Sequence, residues 1–267
     1  MTSLISWVGV DSRGPASFYL ASDSRISWAR DSYWDMGRKL FTCRQSPDLF
    51  GYCGDVLFPS LLLSQVSQRI DLGFKISLAA TMRHRAFLSV AEASHESYPA
   101  AQRRAFTILH SARDSSGMSS VFHLWRTSWD PLSGWSDEKI GLPTESVLVL
   151  AVGSGESTVA SYDDAWRRSE VGRTSRAVFT AFCDSLRSGT DSFSGGAPQL
   201  VGLYRKGVGE SFGIIYQDAR YLSGVPAGPD EAALMELEWR NELFERCDVL
   251  SMKHMSGAQR HARPKHL

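Results

Sequence analysis

The sequence predicts an α+β protein, and three observations carry that expectation. Strand-like and helix-like stretches come in segregated runs, which favours helix layers over antiparallel sheets rather than a doubly wound βαβ fold. The 267 residues are 43% hydrophobic, the apolar share of a packed globular chain. No Pro/Gly/Ser-rich linker divides them, so residues 1–250 read as a single domain. Residues 251–267 follow as a basic, His-containing tail short of apolar residues, expected to be disordered or docked on a neighbour.

Each element follows from local pattern. Residues 3–10 (SLISWVGV) and 17–22 (SFYLAS) are apolar and aromatic, with a turn cluster over 11–16 between them. Residues 39–43 and 49–53 form a second hairpin around Ser46-Pro47-Asp48. From Val56 the period becomes helical through Leu57, Leu61, Leu62, Val66 and Ile70, and Pro59 is tolerable in a first turn. A second helix is expected over 76–96, with Leu78, Met82, Phe87 and Val90 on its apolar side. Strand character returns over 105–113, 119–127 and 146–152, the last running into Gly153-Ser154-Gly155. Helical periodicity then spans 156–187 with a break near Gly172. Strands over 200–204 and 211–215 and a helix from Asp230 to about Val249 complete the order, with no internal repeat.

Several function classes are disfavoured. The 29 basic residues balance 29 acidic ones, which argues against nucleic-acid binding through bulk electrostatics. The longest apolar runs, 56–63 and 147–152, are too short to span a bilayer. The first ten residues lack a basic n-region and an apolar h-region, so a cytoplasmic protein is expected. The widely spaced Cys43, Cys53, Cys183 and Cys247 then read as reduced, buried thiols. Gly153-Ser154-Gly155 lacks the third glycine of a dinucleotide fingerprint, since position 158 is Thr158. The seven histidines show no metal-binding spacing; His110 and His123 read as ordinary strand residues, and no cofactor or metal is expected. No G-x-S-x-G elbow is present.

The amino terminus is more informative. Met1 precedes Thr2, a small residue that permits removal of the initiator methionine. An exposed amino-terminal threonine holds a hydroxyl nucleophile and an α-amine of pKa about 7.7–8.0 in one residue, and that amine serves as general base. Ala21-Ser22-Asp23-Ser24-Arg25 followed by Gly37-Arg38-Lys39-Leu40-Phe41 resembles the front end of a proteasome β-type subunit. Asp23 and Lys39 are 16 positions apart, the separation that family keeps between its catalytic Asp and Lys. Phe50-Gly51-Tyr52-Cys53-Gly54-Asp55 resembles its glycine-bearing oxyanion turn, Gly153-Ser154-Gly155 its Gly-Ser-Gly motif, and Asp191-Ser192-Phe193-Ser194-Gly195-Gly196 its Asp-x-x-Ser-Gly-Gly motif. The chain therefore resembles the N-terminal-nucleophile hydrolases of the proteasome β, HslV and Anbu kind. The bacterial Anbu and β-proteobacterial proteasome-homologue branches look nearest, because they too begin Met-Thr and carry Ala-Ser-Asp-Ser-Arg.

The resemblance implies a four-layer αββα sandwich and a self-compartmentalising threonine peptidase. Thr2 would be the nucleophile, Lys39 held by Asp23 would ease its deprotonation, and Ser154, Asp191 and Ser194 would position the amine and shuttle protons. Gly54, with Arg25, would serve the oxyanion and substrate. Peptides or unfolded proteins would be the substrates, homo-oligomeric rings or helical assemblies the working form, and a regulatory ATPase an open question; neither nucleic acid nor membrane is an expected partner. A catalytically silent ring subunit and a small-molecule acylase on the same fold are the alternatives. One departure stands out: Thr2 and Asp23 are 21 positions apart, several more than the family pattern. If the first two strands slipped out of register, Ser3 or Ser6 would lie where the nucleophile belongs.

Overall fold

Alternation along the first two strands sorts their side chains between two layers. Leu4, Val8, Phe18 and Leu20 face one core, while Ile5, Trp7, Tyr19 and Ala21 face another. These assignments come from a computed structural model that describes residues 2–74, 78–233 and 235–264.

In chain order the strands are β1 (Ser3–Asp11), β2 (Gly14–Ser22), β3 (Ile26–Ala29), β4 (Ser32–Trp34), β5 (Leu40–Thr42) and β6 (Asp48–Gly54). Helices α1 (Leu57–Asp71) and α2 (Ala80–Ser97) follow, then β7 (Phe106–Asp114), β8 (Val121–Asp130), β9 (Gly134–Ile140) and β10 (Leu148–Gly153). Helices α3 (Glu156–Arg167) and α4 (Ser175–Ser188) precede β11 (Gln199–Tyr204), β12 (Glu210–Ser211), β13 (Gly213–Tyr216), β14 (Ala219–Leu222) and β15 (Val225–Pro226). The short helix α5 (Pro229–Ala233) and strands β16 (Trp239–Asn241) and β17 (Arg246–Cys247) end the sequence of elements.

Two five-stranded antiparallel sheets stack face to face, one ordered β10-β1-β2-β11-β12 and the other β5-β6-β7-β8-β9. Leu4, Phe18 and Leu20 meet Leu49, Leu109 and Leu124 between them. Helices α3 and α4 cover the outer face of the first sheet through Val159, Phe179 and Phe182. Helices α1 and α2 cover the second through Phe58, Leu62 and Phe87. The architecture is the expected α+β sandwich.

The first hairpin takes up its extra length without slipping. Leu4 pairs with Ser22 and Ile5 with Ala21 at the open end, while a register shift at Gly9/Val10 lets Asp11 pair with Gly14. The turn cluster expected over 11–16 is thus a two-residue turn, with the surplus residues built into longer strands.

Four expectations differ from what is observed. The helix expected from Asp230 to Val249 stops at Ala233. Trp239 instead lies over Gly213, where a Cβ would come within 2.3 Å of its ring, and β16 pairs parallel to β13. Asn241 Oδ1 accepts from the N–H of Leu243 and Glu245, a local turn that competes with a helix. This segment builds a third sheet, β15-β14-β13-β16-β17, that the sequence did not announce. Neither the β3–β4 hairpin nor the charged edge strand β9 was anticipated, since both are largely exposed and lack an apolar run. Within its described part the tail packs on its own chain rather than running free: Arg263 makes a two-pronged ion pair with Asp184 at 2.8 and 2.7 Å on the α3–α4 layer.

The fourth difference concerns α2. Ile76 lies outside the described residues, Met82 is exposed, and the buried face carries Arg83, His84 and His95 beside Phe87 and Ala91. These polar groups are buried because they have partners. Arg83 Nε and His110 Nε2 both donate to the buried Asp48 carboxylate, at 2.9 Å each. His84 Nδ1 lies 2.9 Å from His110 Nδ1, and His84 Nε2 lies 3.1 Å from Asp137. His110, expected to be an ordinary strand residue, is the centre of this chain and stacks on Phe50.

Candidate active site

The ends of β1, β2, β10 and β11 meet at one corner of the first sheet, and the loops leaving them carry the predicted residues. Thr2 is 1% exposed at the start of β1. Its backbone N–H donates to Ser154 Oγ at 3.1 Å, and Ser154 Oγ donates to Asp191 Oδ2 at 2.8 Å. Ser194 Oγ donates to the same carboxylate oxygen at 2.7 Å. With that proton committed, the 2.8 Å contact between the Ser3 and Ser194 hydroxyls leaves Ser3 as donor. Asp191 is fixed in turn by the Phe193 N–H, which donates to Oδ1. Ser154 is solvent-exposed, so this hydroxyl network runs from the buried Thr2 nitrogen to the surface.

Glycine at 153 is demanded twice. Its φ is +102°, and a Cβ there would lie 1.9 Å from the Thr2 carbonyl oxygen. The same Cβ would lie 3.6 Å from Cys53 Cβ, which places the β6 end, and so Gly54, beside Thr2. Gly54 has φ +94° and a Cβ would meet Ala105 O at 2.6 Å, so that turn also excludes side chains. At Gly155 a Cβ would strike Ser3 Oγ at 1.9 Å. The Gly-Ser-Gly spacing is therefore the steric condition for bringing this loop onto the chain terminus.

One residue further along, Ser3 donates its N–H to Asp23 Oδ1 at 3.0 Å. Lys39 Nζ donates to that same oxygen at 2.7 Å, and both side chains of the pair are fully buried. Asp23 Oδ2 accepts from the N–H of Arg25 and Gly195 at 3.0 Å each, so four donors converge on one carboxylate. Burial pushes the Lys39 ammonium below its ordinary range, and the Asp23 charge opposes that shift without cancelling it. A lysine made readier to give up its proton, against a carboxylate whose lone pairs are occupied, has the character of a proton-transfer group rather than a surface charge.

The structure thus brings Thr2, Asp23, Lys39, Ser154, Asp191 and Ser194 into one continuous network, with Gly54 adjoining it. Arg25 is placed differently from the rest. Its guanidinium grips Asp35 with two bonds at 2.7 and 2.8 Å, stacks over Tyr33 and donates to Ser192 O at 3.1 Å. It therefore braces the Asp191–Gly196 loop from behind. Ser6, which a slipped register would have brought to the site, is fully buried within β1 and pairs across to Leu20.

Sequence reasoning missed Gln199, the first residue of β11, which is 2% exposed. Its Oε1 accepts from the Lys39 N–H at 3.1 Å, and its Nε2 lies within bonding distance of Asp23 O, Ser24 Oγ and Gly37 O at 3.2, 3.0 and 2.7 Å. A polar residue opening an otherwise apolar strand was the one available signal.

No family model matches the chain, and no curated protein matches it. Among solved structures it is similar to Thiobacillus denitrificans BPH in complex with epoxomicin, at 12% identity and a TM-score of 0.50, over 77% of this chain and 100% of that one. It is also similar to a eukaryotic HslV from Trypanosoma brucei, at 13% identity and a TM-score of 0.47, over 75% of this chain and 99% of that one. Identity this low speaks to fold alone. With its two stacked antiparallel sheets between helix layers, and the likeness to BPH, the chain has the proteasome-type N-terminal-nucleophile hydrolase fold.

Proposed function

We propose that the protein is a threonine peptidase that cleaves amide bonds through an acyl-enzyme on Thr2. The observation that carries this reading is the Thr2 nitrogen held on Ser154 Oγ, one residue from the buried Lys39–Asp23 pair. Removal of Met1 would convert that nitrogen into a free amine already seated on a hydroxyl network. The Thr2 hydroxyl then attacks the scissile carbonyl carbon and gives its proton to the α-amine, with Lys39 lowering the cost of that transfer. The Gly54 N–H faces the oxyanion as it forms; a donor in such a place typically contributes about 10²–10³ in rate. Collapse of the tetrahedral adduct breaks the C–N bond, and the ammonium returns its proton to the leaving amine. Water, deprotonated by the same amine, then hydrolyses the ester. Ser154, Asp191 and Ser194 hold the amine in place and relay protons. Arg25 acts on this site through the loop it braces.

Peptides or unfolded proteins are the substrates this reading implies, with cytoplasmic homo-oligomers as the working form. The fold of BPH, solved with epoxomicin, suggests the probe. Intact mass of the purified protein is expected to lack one methionine and to gain one epoxomicin on Thr2. Thr2→Ala is expected to abolish the adduct and to cut peptide turnover by about 10³-fold or more. A mature protein that retains Met1, or a Thr2→Ala variant that still turns over, overturns the proposal.

A further inference from the structure

Between Asp23 and Lys39 the chain leaves the sandwich. The β3–β4 hairpin that connects them is exposed, with Trp28, Tyr33 and Trp34 each about half or more open to solvent. The two catalytic candidates therefore sit at the two feet of a projecting loop, and something must hold those feet together. A backbone bond from the Gly37 N–H to Ser24 O at 2.9 Å closes the loop at one point. Farther out, the Arg25–Asp35 ion pair and the β3–β4 ladder join its arms. At the feet themselves the backbones of Asp23, Gly37 and Lys39 are tied through the Gln199 carboxamide, which reaches across from β11.

Its geometry suits that task. Gln199 pairs with Ser22 in the sheet, so its backbone is fixed by the β2–β11 ladder. From there Oε1 takes the Lys39 N–H on one foot, while Nε2 addresses Asp23 O and Ser24 Oγ on the other and Gly37 O beside Lys39. A carboxamide offers one acceptor and two donor hydrogens in a rigid plane, so turning it to improve one contact breaks another. The group has no water to fall back on at 2% exposure, and Gly224 seals it: a Cβ there would lie 3.4 Å from Nε2 and 2.3 Å from Ser24 Oγ.

We propose that Gln199 is a positioning residue that sets the Lys39 ammonium on the Asp23 carboxylate and thereby holds the positive charge with which Lys39 eases deprotonation of Thr2. It touches no reacting atom and acts through the backbones of Asp23 and Lys39. The inference deepens the threonine-peptidase reading and rests on it for its catalytic meaning. The charged and titratable groups that act most strongly on Lys39 are Asp23, Cys53 and Asp35. Of these, Asp23 alone is within bonding distance of Nζ, and it is the one Gln199 controls.

The test exploits the scarcity of lysine. Six lysines in the chain allow Lys39 to be resolved by NMR of ¹³C/¹⁵N-labelled lysine side chains, with Lys39→Arg identifying the signal. In Gln199→Met, which keeps chain length but no hydrogen bonds, the Lys39 titration midpoint is expected to fall, since the ammonium stays buried but sits farther from its carboxylate. A shift of about one pH unit corresponds to a tenfold change in proton affinity. Peptide turnover is expected to show kcat down by about 10²-fold with KM little changed, the scale of a misplaced catalytic group, and its alkaline limb displaced with the NMR midpoint. Gln199→Glu, which retains an acceptor for the Lys39 N–H and adds negative charge, is expected to move the midpoint upward, and it serves equally if the methionine variant fails to fold. A midpoint unchanged in the folded methionine variant, or unchanged or lowered in the glutamate variant, overturns the inference. Because the titration is read without substrate, a protein that proves inactive defeats the peptidase reading while the Gln199 effect on Lys39 is still decided.

Discussion

Asp23→Asn is the sharpest perturbation the site offers. The carboxylate takes four donors: the Ser3 N–H and Lys39 Nζ on Oδ1, and the Arg25 and Gly195 N–H on Oδ2. Asparagine keeps one oxygen, so at best two donors are retained, and its NH₂ then points at the two that remain. Flipping the amide merely exchanges which pair is stranded. Each buried donor left without an acceptor costs about 1–3 kcal/mol, and removing one partner of a buried ion pair costs about 3–5 kcal/mol. These overlap, since the Lys39 bond belongs to both, so the larger figure is the fair expectation. For a chain of this size, with about 2–4 °C per kcal/mol, the melting temperature should fall by about 6–20 °C. Lys39→Met should cost less, because the carboxylate keeps three backbone donors when the ammonium is gone. Thermal melts of the two single variants and the double variant at pH 7 test this, with the double expected to be less than additive. An Asp23→Asn melt within about 2 °C of the parent, or a Lys39→Met loss exceeding it, refutes the reasoning that Asp23 is the hub.

Three further predictions use other parts of the structure. Gly153→Ala should cut turnover far more than it lowers stability, since its Cβ would displace the Thr2 carbonyl; a peptide assay beside a melt of the same variant separates the two, and unimpaired turnover counts against the assigned site. Acid should destabilise the protein below pH 6.5. Burial and the neighbouring His110 push His84 down to about 4, so the folded state holds it neutral while the unfolded chain takes up a proton. The stability this supplies is fully present above about pH 6.5 and is lost toward pH 4, about 2 kcal/mol of it between pH 7 and pH 5. Burial lowers His95, His123 and His261 as well, which adds to the same slope, and urea midpoints that stay flat from pH 7 to pH 5 would contradict it. Burial also pushes the Cys53 and Cys247 thiols up to about 11 and raises Cys43 and Cys183. A disulfide reagent at pH 8 should therefore label none of the four cysteines in the folded protein and all four in urea.

The network around Thr2 was legible because each of its parts sits in a short motif whose residue types are demanded locally. Gly153 and Gly155 are required by contact with Thr2 and Ser3, Asp191 and Ser194 lie in one turn, and the Asp23–Lys39 spacing is fixed by where β2 ends and β5 begins. Gln199 was not legible, because its meaning lies in partners 160 to 176 positions away and no local period announces them. The Asp48–His110–His84–Asp137 chain escaped for the same reason. Its members alternate with apolar residues along their own elements and acquire partners only when α2 crosses the second sheet. The segment after Ala233 misled in the opposite direction: a helix-like period lost to the fit of Trp239 over Gly213 and of Phe244 against Trp7 and Tyr19.

The departure that threatened the reading, an overlong first hairpin, shows why such a site tolerates divergence around it. At the site end, β1 is held on both sides, by β2 through Leu4–Ser22 and by β10 through Ser3–Gly153. β2 is held in turn by β11 through Ser22–Gln199. Three ladders thus fix the register within one residue of Thr2 and Asp23. A one-residue slip there would turn Leu4 and Ile5 each into the other's core, so the buried faces penalise it heavily. At the other end only β1 and β2 meet near the turn, where Asp11, Ser12 and Arg13 are exposed and Asp11 pairs with Arg205. Added residues therefore accumulate where they disturb no core, and a bulge at Gly9/Val10 absorbs the mismatch before it reaches the site. The distance in sequence between Thr2 and Asp23 measures the length of the hairpin, while their distance in space is set by the ladders, and only the second bears on chemistry.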